Sequence, residues 1–384
     1  MKKFPQILSY ILVAAVAAAV TLVLYTNVMR SHTWAKLDEI KTLVDTCFIE
    51  DADPQAMEEA AAAALIEALG DRWSYYMSAE EYRSYQEQMA NSYVGIGITI
   101  TVREDGYIDV MKVEAGGPAL EAGMQPGDII TAVEGQDIGT MSIDQIKNMI
   151  RGTEGTQVSV TVLRGEETVT MSIIRKQIQT VVAAGELLED NIGLVKIANF
   201  DSRCKDETVK VIESLLAQGA QSLIFDVRYN PGGYKTELVK LLDYLLPKGP
   251  LFRSEDYTGA TFVDESDAKC LGIPMAVLVN MDSYSAAEFF AAALSEYDAA
   301  VVVGEPTTGK GHFQSSYELS DGSAVVISIG RYRTPNGANL DGTGLTPDIV
   351  VEVDDETYWQ IYYGNVEPAN DPQIQAAVAA LKSE

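Results

Sequence analysis

The sequence is poor in cysteine and histidine. Its 384 residues include three cysteines, Cys47, Cys204 and Cys270, and two histidines, His32 and His312. The cysteines show no C-x-x-C spacing, which argues against a disulfide scaffold and a structural zinc site. The shortage of histidine also limits the bases that a catalytic site can use. We therefore expect a protein that needs no metal ion and no other cofactor.

Basic residues are also scarce. Lysine and arginine together number 28 against 56 acidic residues, which gives a formal charge of -28. This charge repels phosphate backbones and anionic lipid surfaces. We therefore expect no nucleic-acid partner. The length suits a membrane anchor followed by two or three folded domains.

One uncharged run, residues 4–29, follows Lys2 and Lys3. About 20 apolar residues, at 1.5 Å each, cross the roughly 30 Å hydrocarbon layer of a bilayer. The positive-inside rule keeps the two lysines in the cytoplasm and places the chain after Arg30 outside. A cleavable signal peptide is the alternative, since residues 17–19 are small, but its apolar core would be shorter. We predict an uncleaved single-pass anchor, residues 1–30.

Two helical segments are predicted on either side of the main domains. In residues 31–90, Leu37, Ile40, Leu43 and Val44 follow helical spacing, and the run AMEEAAAAALIEAL favours a helix. In residues 356–384 the run DPQIQAAVAALKSE predicts a short helix. Neither segment carries an obvious catalytic group. We expect both to pack against the protein or to contribute to a homodimer.

Residues 91–178 predict a compact module of five short strands and two short helices. The strands are VGIGITITV, YIDVMKV, DIITAVEG, VSVTVLRG and TVTMSII. Glycines at the start of the first strand let backbone N–H groups converge on an anion and leave a strand edge open, so a peptide can bind as an extra strand. With the run GPALEAGMQPGDII, the segment resembles a PDZ domain. The alternative is that these glycines only shape a turn. The predicted peptide-binding residues are Val94, Gly95, Ile96, Gly97 and Ile98.

Strands and helices alternate in residues 179–355. The predicted strands include IGLVKIANF, SLIFDV, PMAVLVN and AVVVGE, and the helices between them include DETVKVIESLLAQGA and SAAEFFAAALSEY. Short apolar strands joined by helices predict a mainly parallel sheet that is covered on both faces. The expected fold is therefore an α/β domain of this kind, with a small PDZ-like β-rich domain and an N-terminal transmembrane helix.

In open α/β sheets, active groups gather where strands end and helices begin. One such crossing puts Ser285 at the first turn of a helix, where free backbone N–H groups and the helix dipole favour a developing oxyanion. The alternative is structural, because Ser285 and Glu288 match the S-x-x-E capping box.

The spacing predicts a base for Ser285. The helix after Ser285 carries the chain about 16 Å from the sheet edge, and the next strand brings it back by a similar distance. Lys310 therefore returns near Ser285, and Gln314 lies close enough to hydrogen-bond Lys310. A neutral lysine can replace histidine as the base for a serine. Burial must lower its pKa from about 10.4 towards 7.

The predicted oxyanion hole combines the N–H of Ala286 with that of Gly232 or Gly233. The glycine loop can come close because these residues lack side chains. The alternative is an ordinary Pro-Gly-Gly turn.

Three motifs, DVRYNPGG, SYSAAEFFAAAL and VVVGEPTTGKGHFQ, occur in the order and spacing of the carboxyl-terminal processing (tail-specific) peptidases. The anchor, DRWSYYMSAEEY, the PDZ-like module and RYRTPNGANLDGTGLTPDIVV also resemble that family. The resemblance implies an extracytoplasmic bacterial serine endopeptidase, with Ser285 as nucleophile, Lys310 as general base and Gln314 as the third member. It also implies a PDZ domain that binds substrate carboxyl termini and gates the site.

The sequence departs from the family in a few places. Ala287 stands where members often carry a further serine, and Tyr229 and Tyr284 replace commonly smaller residues, which narrows the expected substrate cleft. In some members an arginine near the second PDZ helix contacts the active site. Arg151 is the candidate for that link here, and a solvated helix end is its alternative.

Three other functions fit parts of the sequence. Residues 304–310 match seven positions of a phosphate-binding P-loop, but Gly311 replaces the Ser or Thr that binds magnesium. A histidine-based hydrolase would have to use His312, and no G-x-S-x-G elbow is present. A catalytically inactive PDZ scaffold that binds protein carboxyl termini is the main alternative to the peptidase.

Overall fold

The computed structural model describes residues 18, 21, 35–103, 105–267 and 269–383. The predicted anchor, residues 4–29, therefore lies almost entirely outside the described residues. Within the described residues, no helix combines the length and apolarity needed to cross a membrane. Backbone contacts divide the chain into two units, Met1–Leu69 and Gly70–Glu384.

The first unit is helical where it is described. It contains α1 (residues 35–47) and α2 (Pro54–Glu67). The Asp53 side chain caps α2 by accepting hydrogen bonds from the backbone N–H groups of Gln55 and Ala56. Proline at the first helical position fits there because its missing N–H is not needed.

The second unit begins with a strand, β1 (Tyr75–Met77), and a helix, α3 (Ala79–Met89). Ser78 and Glu81 form a reciprocal capping box at the start of α3. The segment predicted as a helical lead-in thus also supplies a strand.

A PDZ-like module follows, and its apolar core lies under one twisted antiparallel sheet. The long predicted strand VGIGITITV is interrupted at Ile96 and Gly97, where Gly97 has a φ of +76°. Its first half, β2, pairs with β9 in a separate ribbon, and its second half, β3, is an edge strand of the sheet. The elements are β2 (Ser92–Gly95), β3 (Ile98–Val102), β4 (Ile108–Val113), α4 (Pro118–Glu121), β5 (Ile129–Val133), β6 (Gln136–Asp137), α5 (Ile143–Ile150), β7 (Gln157–Arg164), β8 (Glu167–Ile174) and β9 (Lys176–Gln179).

The predicted parallel sheet is present, with one antiparallel edge strand, β10. Its spatial order is β10 (Ala183–Leu187), β11 (Ile192–Ile197), β12 (Ser222–Asp226), β15 (Met275–Val279), β16 (Ala300–Gly304) and β19 (Ile349–Val350). Successive strand residues point to opposite faces, so Phe225 and Val277 join one core while Ile224 and Ala276 join another.

Helices cover both faces of this sheet. The larger core includes α6 (Cys204–Ala217), α7 (Lys235–Leu245) and α8 (Ala286–Glu296). On the other face, Ile374 and Ala377 of α10 (Pro372–Ser383) are buried. The tail helix therefore packs against its own chain. A further helix, α9 (Asp355–Tyr362), precedes it.

A second, antiparallel sheet was not predicted. It contains β1, β13 (Gly249–Asp256), β14 (Thr261–Ser266), β17 (His312–Glu318) and β18 (Ala324–Arg333). Strand β18 pairs with β1, β13 and β17. Because β17 starts two residues after Lys310, this sheet fixes where the segment of the predicted base lies.

Candidate active site

The backbone of Ser285 is strained. Its φ of +58° and ψ of −124° lie where residues with a Cβ are uncommon, and it directly precedes α8. Ser285 and Glu288 have the geometry of a capping box, in which the Ser285 N–H donates to the Glu288 carboxylate. The Ser285 Oγ also hydrogen-bonds the phenol of Tyr332 at 2.8 Å. The capping explanation therefore accounts for Glu288 but not for the contact between Ser285 and Tyr332.

Glu288 joins the nucleophile segment to the lysine segment. One carboxylate oxygen accepts hydrogen bonds from the backbone N–H groups of Ser285 and Lys310, each at 2.9 Å. The other accepts from the Gly309 N–H at 2.7 Å and from the Thr307 hydroxyl. Burial raises the pKa of Glu288, and these hydrogen bonds to the carboxylate oppose that rise. The sequence analysis recognised Glu288 only as a helix cap.

The Lys310 amine lies against two aromatic rings. Its Nζ is 4.9 Å from the ring centroid of Trp73 and 5.8 Å from that of Tyr284, and the two rings stack at 6.2 Å. Burial lowers the pKa of Lys310 to about 8, although the carboxylates of Glu288 and Asp71 act in the opposite direction. This places the amine near the range in which a general base works.

Trp73 was not assigned a role from the sequence. The Lys310 amine and the Arg72 guanidinium both lie over its ring, the guanidinium at 4.3 Å from the centroid. Arg72 also donates hydrogen bonds to the carbonyls of Thr308 and Gly309. The DRWSYY segment therefore forms one wall of the lysine pocket, and only its presence in a family-like motif pointed to it.

The structure brings Gln314 into β17 without a contact to the lysine. Its side-chain amide donates hydrogen bonds to the His312 carbonyl at 3.0 Å and to the Ser328 hydroxyl at 3.3 Å. Within the described residues, Lys310 Nζ makes no hydrogen bond to Gln314 or to Ser285 Oγ. The expected Gln314–Lys310 hydrogen bond is thus not formed in this conformation, and a catalytic role for Gln314 stays a prediction.

The glycine loop lies directly against the nucleophile. A Cβ on Gly232, whose φ is +89°, would lie 2.7 Å from Ser285 Cβ and 2.8 Å from Ala286 N. The Gly232 N–H already donates to Asn230 Oδ1 at 2.8 Å. The N–H groups of Ala286 and Gly233 have no acceptor among the described residues. Of the three predicted oxyanion donors, these two remain free.

The predicted peptide-binding residues are divided between two elements. Val94 and Gly95 end β2 and pair with β9, whereas Ile98 begins β3. Among the described residues, β3 has one strand neighbour in the PDZ-like sheet, β4. Ile96 is buried, and its carbonyl accepts from the Ala119 N–H. An extended peptide can therefore add to the free side of β3.

Arg151 lies at the end of α5 and contacts α3. Its guanidinium is 3.2 Å from Glu87 Oε2 and lies 4.7 Å from the ring centroid of Tyr93. Asn148 of α5 also donates to Glu80 of α3. Arg151 thus forms an ion pair with α3, and its link to the catalytic groups stays a prediction.

Two alternative sites are not favoured by the geometry. In the P-loop-like segment, the Glu288 carboxylate occupies the N–H groups of Gly309 and Lys310 that would cradle a phosphate. His312 Nδ1 pairs with Asp341 at 3.1 Å, and Ser285 Oγ bonds Tyr332 instead. Neither a nucleotide nor a Ser-His pair fits these contacts.

The chain is similar to known proteins. A family model described as peptidase family S41 matches residues 191–351, and a PDZ domain model matches residues 110–164. A carboxy-terminal processing protease CtpA of Bacillus subtilis (strain 168) is 31% identical over 323 residues, which cover 83% of this chain and 69% of the relative. A CtpA-like serine protease of Staphylococcus aureus (strain N315) is 29% identical over 321 residues, covering 83% of this chain and 64% of the relative.

A solved structure assigned to the S41 proteases, from Bacteroides fragilis, aligns with a TM-score of 0.54 at 17% identity, over 88% of this chain and 92% of that one. At that identity the likeness concerns the fold alone. The fold and the matches define a serine-peptidase domain with a PDZ domain. The chain belongs to peptidase family S41. The family resemblance, the serine-peptidase class and the PDZ domain predicted from the sequence are confirmed at this level.

Proposed function

We propose that this chain is an endopeptidase that cleaves proteins selected by their carboxyl termini, with Ser285 as nucleophile and Lys310 as general base. The supporting observation is the buried Glu288 carboxylate, which bonds the backbones of both residues. It ties the strained serine to a lysine whose pKa is lowered to about 8. If Ser285 served only as a helix cap, no lysine with a lowered pKa would be needed on the same carboxylate.

The reaction follows an acyl-enzyme course. Neutral Lys310 takes the Ser285 proton as Oγ attacks the scissile carbonyl carbon. The oxyanion receives hydrogen bonds from Ala286 and Gly233, and the ammonium then protonates the departing amine. A water molecule, deprotonated by Lys310, attacks the ester carbon, and the product leaves as a carboxylate while Ser285 regains its proton.

The conformation described here fits a resting enzyme. Ser285 Oγ bonds Tyr332, while the Lys310 amine rests against Trp73 and Tyr284. Proton transfer requires the two groups to approach to about 3 Å, which side-chain rotation can achieve. Substrate binding at the PDZ domain is the proposed trigger, and Gln314 is the proposed partner of the amine once it turns.

Substrate selection is assigned to the PDZ domain. The loop formed by residues 94–98 holds the terminal carboxylate, and the free side of β3 pairs with the last residues of the substrate. The chain spans 64% of the S. aureus relative, so the activity of the whole protein is part of this proposal. The proposal also includes the single-pass anchor over residues 4–29, an extracytoplasmic catalytic domain and a homodimer.

The deciding experiment measures cleavage of a folded reporter with varied carboxyl termini by the full chain in detergent. Wild type should cleave it, Ser285→Ala should not, and Ser295→Ala, at the far end of α8, should retain activity. A fluorophosphonate probe should label wild type only at Ser285. If Ser285→Ala cleaves as wild type does, the nucleophile is wrong. If no variant cleaves yet all bind the reporter's terminus, the chain is a PDZ scaffold.

Anchoring needs a separate measurement. Full-length chain in bacterial membranes should resist alkaline extraction, and external protease should reach its folded domains in intact spheroplasts. A chain released by alkaline carbonate would contradict the anchor.

Light scattering of the purified chain tests the homodimer, and a monomer mass would exclude it.

A further inference from the structure

Tyr332 is a buried phenol whose hydroxyl contacts the proposed nucleophile. The residue lies in β18 and is 5% exposed. Its ring packs edge-on against Phe289 at 4.5 Å, at a tilt against Phe252 at 5.3 Å, and stacks on Phe313 at 5.9 Å. These three rings surround the Tyr332 ring with apolar surface.

The phenol has one side-chain partner among the described residues, Ser285 Oγ at 2.8 Å. Burial raises the pKa of Tyr332, although the contact with Ser285 acts against the rise, so the phenol keeps its proton. If its O–H pointed elsewhere, a buried donor would be left unpaired at a cost of about 1–3 kcal/mol. The phenol therefore donates and Ser285 Oγ accepts.

The direction of this hydrogen bond determines where the Ser285 proton can go. Because the phenol is the donor, the Ser285 hydroxyl hydrogen is free for another acceptor, and a neutral Lys310 amine is the base in the proposed mechanism. Strand β18 supports the arrangement, since the Tyr332 N–H donates to the carbonyl of Gly311, which follows Lys310. One strand thus holds both the phenol and the lysine segment in place.

We propose that Tyr332 is a further catalytic residue, whose phenol donates a hydrogen bond to Oγ of Ser285 and leaves the serine proton to Lys310. The inference rests on the proposed peptidase function. As Oγ attacks, its proton passes to the Lys310 amine, and the phenol stabilises the charge that develops on Oγ while keeping its own proton. In deacylation Oγ leaves the acyl carbon, again stabilised by the phenol, and recovers a proton from the Lys310 ammonium.

The test is Tyr332→Phe in the full chain, because this change keeps the ring and removes only the hydroxyl. We expect fluorophosphonate labelling of Ser285 and kcat to fall about 10- to 100-fold, the range for one lost donor at a reacting oxygen, with KM little changed. The pH at which activity is half-maximal should stay that of Lys310. Tyr297→Phe is the matched control, since that phenol donates to the Pro250 carbonyl away from Ser285.

Each outcome decides the inference. If wild type is active and Tyr332→Phe labels at the wild-type rate or faster, the phenol does not assist the serine. Replacement of Tyr332 by 3-fluorotyrosine, which keeps both ring and donor, should keep activity within a few-fold. If Phe and 3-fluorotyrosine fail alike, packing alone explains the loss and the inference is overturned. An inactive wild type would instead overturn the proposed function.

Discussion

Two basic residues, the buried Arg228 and the partly buried Lys310, follow strands β12 and β16 of the same parallel sheet but differ in their partners. Arg228, just beyond β12, pairs with Asp226 at 2.7 Å and Asp371 at 2.9 Å, and all three side chains are less than a tenth exposed. Burial alone would lower the pKa of Arg228, but the two carboxylates raise it overall. Lys310, beyond β16, has no ion-pair partner within the described residues, and burial lowers its pKa to about 8.

The difference in partners gives the two residues different uses: Arg228 stabilises the fold, and Lys310 is suited to proton transfer. A guanidinium held by two carboxylates stays charged and ties α10 to the sheet, because Asp371 directly precedes that helix. An amine set against aromatic rings can lose its proton near neutral pH. Burial lowers the pKa at both positions, and the two carboxylates beside Arg228 reverse its effect there.

Among these substitutions, Lys310→Met should give the largest effect. It should also separate the catalytic role of the lysine from its effect on folding stability. Without a base, kcat/KM should fall about 1,000-fold or more. The folded protein should also become more stable at pH 7, by about 1–3 kcal/mol, because the variant no longer buries a charge. Peptide cleavage and urea unfolding measure the two effects.

The pH dependence of the stability gain is the control for Lys310→Met. In wild type the folded pKa of Lys310, about 8, lies below the unfolded value of 10.5, so the unfolded state binds more protons between these values. Wild-type stability should therefore rise with pH across that window, and the advantage of Lys310→Met should shrink towards zero above it. An equal advantage at pH 7 and pH 11 would contradict the lowered pKa.

Arg228→Met should act in the opposite direction. The change leaves Asp226 and Asp371 buried without a cation, so the free energy of unfolding should fall by about 3–5 kcal/mol. Chemical denaturation at pH 7 measures the loss. A stability equal to wild type would show that the two basic residues do not differ in the way described.

The pH profile of cleavage should have a smaller but diagnostic effect. Activity requires neutral Lys310, so log kcat/KM should rise with a slope of one below pH 8 and level off above it. About a tenth of the amine is neutral at pH 7, which predicts roughly tenfold lower activity there than at pH 9. Circular dichroism over the same range controls for unfolding. A flat profile would argue against a lysine base.

Arg151→Met should have the smallest effect and serves as a reference for exposed cations. In its ion pair with Glu87, the Arg151 side chain is 40% exposed and the Glu87 side chain is 25% exposed. Solvent screens such a pair, so unfolding should change by less than about 1 kcal/mol. A loss as large as that of Arg228→Met would show that exposure is a poor guide to these charges.

Much of the arrangement was accessible from the sequence. The short apolar strands and intervening helices predicted the α/β sheet, and the glycines at residues 95 and 97 predicted the module with an open strand edge. The chain length from Ser285 to Lys310 predicted that both return to one sheet edge, and both segments bond the same Glu288 carboxylate.

The contacts that set the chemistry were not accessible. Trp73 is far from Lys310 in sequence, and Tyr332 is far from Ser285. The strand β18 that carries Tyr332 is rich in valine and isoleucine, but its sequence does not reveal which strands it pairs with or that its tyrosine meets Ser285. Gln314 is close to Lys310 in sequence, yet strand geometry directs its amide to His312 and Ser328. Nearness along the chain did not determine which side chains bond each other.

The sequence by itself determined the alternating strands and helices of the α/β sheet, the PDZ-like module and the segments that carry Ser285, Lys310 and the glycine loop, because apolar patterning and local turn chemistry are properties of consecutive residues. Tertiary structure alone decided that Ser285 faces a phenol, that Glu288 joins two segments and that Lys310 is partly buried with no ion-pair partner among the described residues. Burial and hydrogen bonding depend on distances between remote residues, and only packing sets those distances.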